Sequence, residues 1–108
     1  MTIVGTRPEI IKMSAIIKKC DQYFNHILVH TGQNYDYTLN EIFFKELGLR
    51  EPDYYLGVAG ENIGQTMGNI ISKSYEIMAA LKPDAIIVLG DTNSCLSVIS
   101  AKRLKIPV

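Results

Sequence analysis

Apolar residues recur along this chain at two alternating periods, and the alternation predicts the elements. After a short opening strand over residues 1–4, Ile10, Met13, Ile17 and Cys20 return at helical spacing and predict a helix over 8–20. Thr6-Arg7-Pro8-Glu9, just ahead of it, has the form of a capping box, with Pro8 suited to a first helical turn. Ile27-Leu28-Val29, within 26–31, reads as a buried strand. A second helix is predicted over 36–47, with Leu39, Ile42, Phe43 and Leu47 on one face and Gly48 as its stop. Residues 53–56 read as a short strand. The longest helix opens on Asn62 as cap and ends at Lys82-Pro83. Its predicted apolar stripe is Ile63, Met67, Ile70, Ile71, Ile77, Met78 and Leu81. Ala85-Ile86-Ile87-Val88-Leu89 is a continuous apolar run, the pattern of a strand covered on both faces. Residues 92–105 read as another helix, and Ile106-Pro107-Val108 as a strand just beginning.

Strands alternating with helices predict an α/β fold: a doubly wound parallel sheet, Rossmann-like, with helices on both faces. The default strand order is 3-2-1-4-5. No repeat, low-complexity tract or linker interrupts it. The opening strand is short and the closing one barely starts, so the expectation is an incomplete domain over 1–108.

Composition narrows the function. With 108 residues, 47% of them hydrophobic and 20% charged, the chain suits one small globular domain rather than disorder. Lys+Arg and Asp+Glu both number 11, so bulk charge gives no reason to expect nucleic acid or a membrane as partner. An anionic ligand must be held by a few placed residues. No apolar run approaches the roughly 20 residues of a membrane span. Residues 1–4 lead straight into Gly5-Thr6-Arg7-Pro8, so no signal peptide is expected, and Cys20 and Cys95 lack metal-like spacing. A cytoplasmic protein with free thiols and no metal site is expected.

In a doubly wound sheet, ligands sit outside the carboxyl ends of the strands at the switch point, here between strands 1 and 4. Two segments lie there: Gly5-Thr6-Arg7-Pro8-Glu9, and Gly90-Asp91-Thr92-Asn93-Ser94. The first suits a phosphate, because a helix N-terminus offers free amides and Arg7 adds a planar fork for a diphosphate. A capped helix with a solvated arginine is the plainer alternative. Asp91 reads either as a helix cap or as a carboxylate able to move a proton or bind a hydroxyl. Asn93 and Ser94 suit sugar hydroxyls, though helix-start polarity accounts for them equally. Turn chemistry explains Gly32 and Asp36 without a ligand. His30 reads as a strand-end side chain and His26 as a surface one. The chain carries neither a Gly-x-Gly-x-x-Gly nor a Gly-Lys-Ser/Thr phosphate loop.

Gly5-Thr6-Arg7-Pro8-Glu9-Ile10-Ile11-Lys12, Thr31-Gly32-Gln33, Lys82-Pro83-Asp84 and Gly90-Asp91-Thr92 closely resemble the UDP-N-acetylglucosamine 2-epimerase family, along all 108 residues and in order. The resemblance implies two Rossmann-like domains in the glycosyltransferase-B arrangement, of which 1–108 is an incomplete N-terminal one and the C-terminal nucleotide-binding domain is absent. It implies an isomerase that eliminates UDP across C1 and C2 and re-adds it with inversion at C2, without an external cofactor. It implies that Arg7 contacts the diphosphate, that Lys12 lies near the active site and that Asp91 takes part in catalysis. Thr6, Gln33, Thr92 and Asn93 are then substrate-binding positions. The partner is a UDP-N-acetylhexosamine, the full-length protein a homodimer, and the fragment inactive. The stretch from His30 to Tyr37 is similar to the branch making UDP-N-acetyl-L-fucosamine for capsule or O-antigen.

Bacterial members also bind a second substrate molecule as activator, through a glutamine after strand 2 and an arginine on the long helix. The corresponding positions here are Asp36 and Asn69, which disfavour a diphosphate. The rival expectations are a glycosyltransferase of the same architecture and a non-catalytic nucleotide-sugar-binding domain.

Overall fold

Thr6 starts the first helix as its sequence requires. In the computed structural model, which describes residues 1–33, 37–90 and 92–108 (backbone alone for 37–41), Thr2–Val4 forms β1 and Arg7–Tyr23 forms α1. Both halves of the capping box are made. Glu9 N donates to Thr6 Oγ1 at 3.4 Å, and Thr6 N donates back to the Glu9 carboxylate at 2.9 Å. Ile10, Met13, Ile17 and Cys20 are buried as the spacing predicts. Full burial of a side chain such as Ile10 or Ile17 contributes roughly 1.5–3 kcal/mol. Leu28–His30 is β2, Tyr37–Glu46 α2, Tyr54–Tyr55 β3 and Ile63–Leu81 α3. A 3-10 turn over Asn93–Leu96 then leads into α4, Ser97–Arg103. Gly48 ends α2 at φ 69°, the left-handed conformation that side chains resist.

The three strands pair in parallel in the order β1-β2-β3. Across β1 the run 85–89 takes the fourth place: Ile87 N donates to Met1 O at 2.8 Å and Ile3 N to Ile87 O at 3.1 Å. Beyond it, Ile86 N donates to Pro107 O at 2.9 Å. The spatial order is therefore the expected 3-2-1-4-5, with only the first three positions forming the regular sheet. Side-chain alternation sets the layers. Val4 and Leu28 face a core filled by α1 and by Phe44 of α2; Ile3 and Val29 face one filled by Met78 of α3 and Ala101 of α4. Helices cover both faces, and the fold is α/β.

The structure corrects three expectations. The buried line of α3 is Thr66, Ile70, Ser74 and Met78, whereas Ile63 and Met67 face outward. The cause is close packing of α3 on α4: Ser74 Oγ meets Ser100 Oγ at 3.1 Å, and Ser100 Oγ donates to Ile71 O at 2.7 Å. Hydroxyls satisfied in this way sit in a helix interface that apolar periodicity does not register. The run 85–89 makes a single bridge. Ile86 and Val88 pack on the core under α3 and α4 and Leu89 on the core under α1, but Ile87 stays exposed, so the cover expected on both faces is incomplete. His26 is not a surface residue: its ring lies between Asp21 Oδ1 at 2.7 Å and Thr2 Oγ1 at 2.6 Å, at the end of the sheet opposite Gly5. Among the described residues, no helix is long and apolar enough to cross a membrane.

Candidate functional site

The chain leaves β1 at Gly5, and three segments close over that residue. A methyl group on Gly5 would collide with Thr31 Oγ1, the Gln33 amide and Ser94 Oγ, so glycine is required by contact rather than by backbone angle. Gln33 Nε2 donates to Thr31 Oγ1 at 3.1 Å and to Ser94 Oγ at 3.0 Å. The segments following β1, β2 and the run 85–89 are thereby joined by side-chain hydrogen bonds. They meet at the carboxyl end of the sheet, at the switch point.

Glu9 stands beneath this junction, fully buried. Its Oε2 accepts from Gly5 N at 2.8 Å, Thr6 N at 2.9 Å, Thr6 Oγ1 at 3.2 Å and Ser94 Oγ at 3.1 Å. These bonds limit α1 as an anion site. The Gly5 and Thr6 amides belong to Glu9, the Glu9 amide belongs to Thr6, and Pro8 has none. Arg7 N–H is the one first-turn amide that no described group holds. The expectation of a row of free amides at this helix end is corrected, and the guanidinium must supply most of any grip on a diphosphate.

Arg7 is exposed, its guanidinium carbon 5.5 Å from the centroid of the Phe43 ring on α2. The Thr6 hydroxyl is committed to the capping box, so Thr6 shapes the loop more than it offers a donor. The Gln33 amide nitrogen is shared between Thr31 and Ser94. Lys12 is exposed on α1. Thr92 and Asn93 are partly buried; Thr92 Oγ1 is shielded from solvent without a hydrogen-bond partner among the described residues. Asp91 lies outside the described residues, as does Asp36. Ser94, for which a sugar contact and helix-start polarity stood as equal alternatives, is buried with its proton directed at Glu9.

His30, at the end of β2, is 1% exposed. Its Nδ1 accepts from Gly32 N at 2.9 Å, which leaves the ring proton on Nε2, an atom buried without a partner among the described residues. The ring packs against Phe44 and Tyr55, with centroids 5.9 and 5.1 Å away. Burial pushes its pKa down to about 4, so the ring is neutral near pH 7. Sequence reasoning missed this burial and the reach of Glu9. The capping box signalled Glu9 as a local acceptor, but nothing local signalled Ser94. Among the described residues, no three metal-ligating side chains cluster.

Known proteins are similar to this chain in both sequence and fold. The family described as UDP-N-acetylglucosamine 2-epimerase matches residues 18–108. A UDP-2,3-diacetamido-2,3-dideoxy-D-glucuronate 2-epimerase of Pseudomonas aeruginosa is 39% identical, over 100% of this chain and 31% of its own length. The structure of UDP-N-acetylglucosamine 2-epimerase from Rickettsia bellii superposes with a TM-score of 0.89 at 56% identity, over 99% of this chain and 29% of that one. The Methanocaldococcus jannaschii UDP-GlcNAc 2-epimerase in complex with UDP-GlcNAc and UDP gives 0.87 at 37% identity, over 97% and 30%. The chain thus spans about 30% of the length of these relatives. With the match covering most of its residues and the switch-point loops in place, this chain belongs to the UDP-N-acetylglucosamine 2-epimerase family.

Proposed function

We propose that the intact protein is a UDP-N-acetylhexosamine 2-epimerase, and that residues 1–108 build one wall of a cleft between two Rossmann-like domains. The observation that carries this reading is the junction over Gly5: three strand-end segments laced together at the switch point, with Arg7 exposed beside them. The M. jannaschii relative holds UDP-GlcNAc and UDP, which supports a nucleotide sugar as ligand.

In the proposed reaction a base removes the proton from C2. The C–H electron pair becomes the C1=C2 double bond, and the C1–O bond to UDP breaks with its electrons going to the diphosphate. UDP then adds back while a proton arrives on the opposite face of C2. Substrate and product are diastereomers, so no net electrons are exchanged and no redox cofactor is required. Arg7 grips the diphosphate in two places and stabilises the charge that grows on it as it leaves. Asp91 is the proton-moving carboxylate of this wall. Lys12 is placed near the reacting groups, and Gln33, Thr92 and Asn93 serve the sugar and its acetamido group. The UDP-N-acetyl-L-fucosamine branch, a homodimer, a cytoplasmic location and a role in surface-polysaccharide precursors extend the same proposal.

The test is to incubate the intact protein with a panel of UDP-N-acetylhexosamines in heavy water. Deuterium at C2 of the recovered sugar nucleotide, in both epimers, is expected with one of them. Residues 1–108 alone are expected to show no exchange, having one wall of the cleft. Sugar transfer to an acceptor without C2 exchange would replace this reading with the glycosyltransferase one.

A further inference from the structure

Glu9 and Ser94 lie 85 residues apart in sequence and touch at 3.1 Å, both fully buried. A helix cap needs a Glu at N3 to reach its own N-cap amide, and Glu9 does so. It does more than capping asks. The same oxygen also takes the Gly5 amide and the Ser94 hydroxyl, while Oε1 is buried without a partner among the described residues. A carboxylate accepts only, so the direction of the chain is set: Gln33 donates to Ser94, and Ser94 donates to Glu9. Ser94 stands three residues after Asp91, and Glu9 two residues after Arg7.

We propose that Glu9, acting through Ser94, is a positioning residue of the epimerase site: it fixes the segment that carries Asp91 against the segment that carries Arg7. The inference rests on the epimerase reading above. Nucleotide and sugar must be held in register for C2 deprotonation to coincide with departure of UDP. Small displacements of the reacting groups are costly in rate. Glu9 itself sits below the junction, out of reach of substrate. Its role is therefore in kcat rather than in affinity, and its negative charge gives the diphosphate nothing to bind.

A double-mutant cycle on the intact protein tests this, with Glu9→Gln, Ser94→Ala and the pair, read by C2 deuterium exchange and by UDP titration. The amide introduced by Glu9→Gln would have to place its NH2 either at the buried Oε1 position, leaving a neutral and weaker acceptor for Ser94, or against the donors at Oε2. Either placement loosens the link. Each single change is expected to lower kcat at least about tenfold, with KM and the UDP Kd within about threefold of wild type. The pair is expected to lose no more than the worse single change, because both changes break the same bond from Ser94 to Glu9. Ser94→Ala removes one hydroxyl only and keeps the test open if Glu9→Gln does not fold. Wild-type turnover in Ser94→Ala, losses that multiply in the pair, or UDP affinity lost in step with kcat would each overturn the proposal. A wild-type protein that exchanges no deuterium would instead overturn the epimerase reading, and this inference with it.

Discussion

The Arg7 guanidinium stacks over the Phe43 ring at 5.5 Å, so a residue of α2 holds the side chain that α1 presents. Such a contact orients a flexible cation and contributes about 0.5–1 kcal/mol at an exposed site. In the intact protein, Arg7→Ala should weaken UDP binding and turnover together, and Arg7→Lys should restore only part, because a point charge cannot make two parallel hydrogen bonds. Phe43→Leu should cost UDP affinity about two- to fivefold while leaving the cation in place. Calorimetric titration with UDP measures all three. Equal affinity in wild type and Arg7→Ala would remove the diphosphate assignment.

Asp91→Asn makes a separate prediction, since it keeps the size and the capping ability of the side chain but not its basicity. Turnover should fall by at least about a hundredfold while the UDP-sugar still binds. Steady-state kinetics paired with equilibrium binding separates the two. Near-normal kcat would remove Asp91 from the proposed reaction.

Much of this was legible in the chain, for reasons that differ by residue. The start of α1 could be read because cap, proline and apolar period agree at Thr6, Pro8 and Ile10. The ligand-bearing ends of the sheet could be read because strand order alone selects them. The buried face of α3 could not, since Ser74 and Ser100 are polar and tolerate burial only by bonding each other and Ile71 O. Neither could the bond from Ser94 to Glu9, which no local pattern encodes. Free helix-end amides were a sound general inference from α1, but it failed here because Glu9 occupies them.

His30 predicts a pH dependence of stability. Its folded pKa is about 4 against an ordinary 6.5, because burial disfavours the charged ring. Above pH 6.5 both folded and unfolded chains carry a neutral ring, and His30 adds no slope. Between pH 6.5 and 4 the unfolded chain binds a proton that the folded one refuses, so stability falls as pH drops. Below about 4 the folded ring protonates as well and the slope ends. At about 1.4 kcal/mol per unit, the whole effect is on the order of 3 kcal/mol. Urea unfolding of wild type and His30→Gln across this window measures it as a difference of slopes, which cancels the other titrating groups. Identical slopes would show that the ring is reached by solvent or by a proton-stabilising partner.

Activation by a second nucleotide-sugar molecule is not expected in this protein. The resemblance places the activator contacts at Asp36 and Asn69, in place of the glutamine and arginine of the bacterial members. Asp36 lies outside the described residues, but its charge is known from the sequence and repels a diphosphate. Asn69 is half-buried on α3, and its amide nitrogen donates to Val58 O at 3.0 Å. That bond commits the donor to the segment after β3, so Asn69 supplies neither a cation nor a readily available hydrogen bond. An activator would lose a charge-assisted contact on one side and meet a like charge on the other. If the intact protein is the proposed epimerase, it should therefore show hyperbolic rate curves and run in both directions without added UDP-GlcNAc. Initial rates against substrate concentration, with and without UDP-GlcNAc, measure this directly. Sigmoidal curves, or a reverse reaction that starts only after UDP-GlcNAc is added, would show that an activator site operates despite Asp36 and Asn69. An Asn69→Arg variant provides the complement: released from Val58 and charged, it should gain UDP-GlcNAc sensitivity only if repulsion by Asp36 is removed with it.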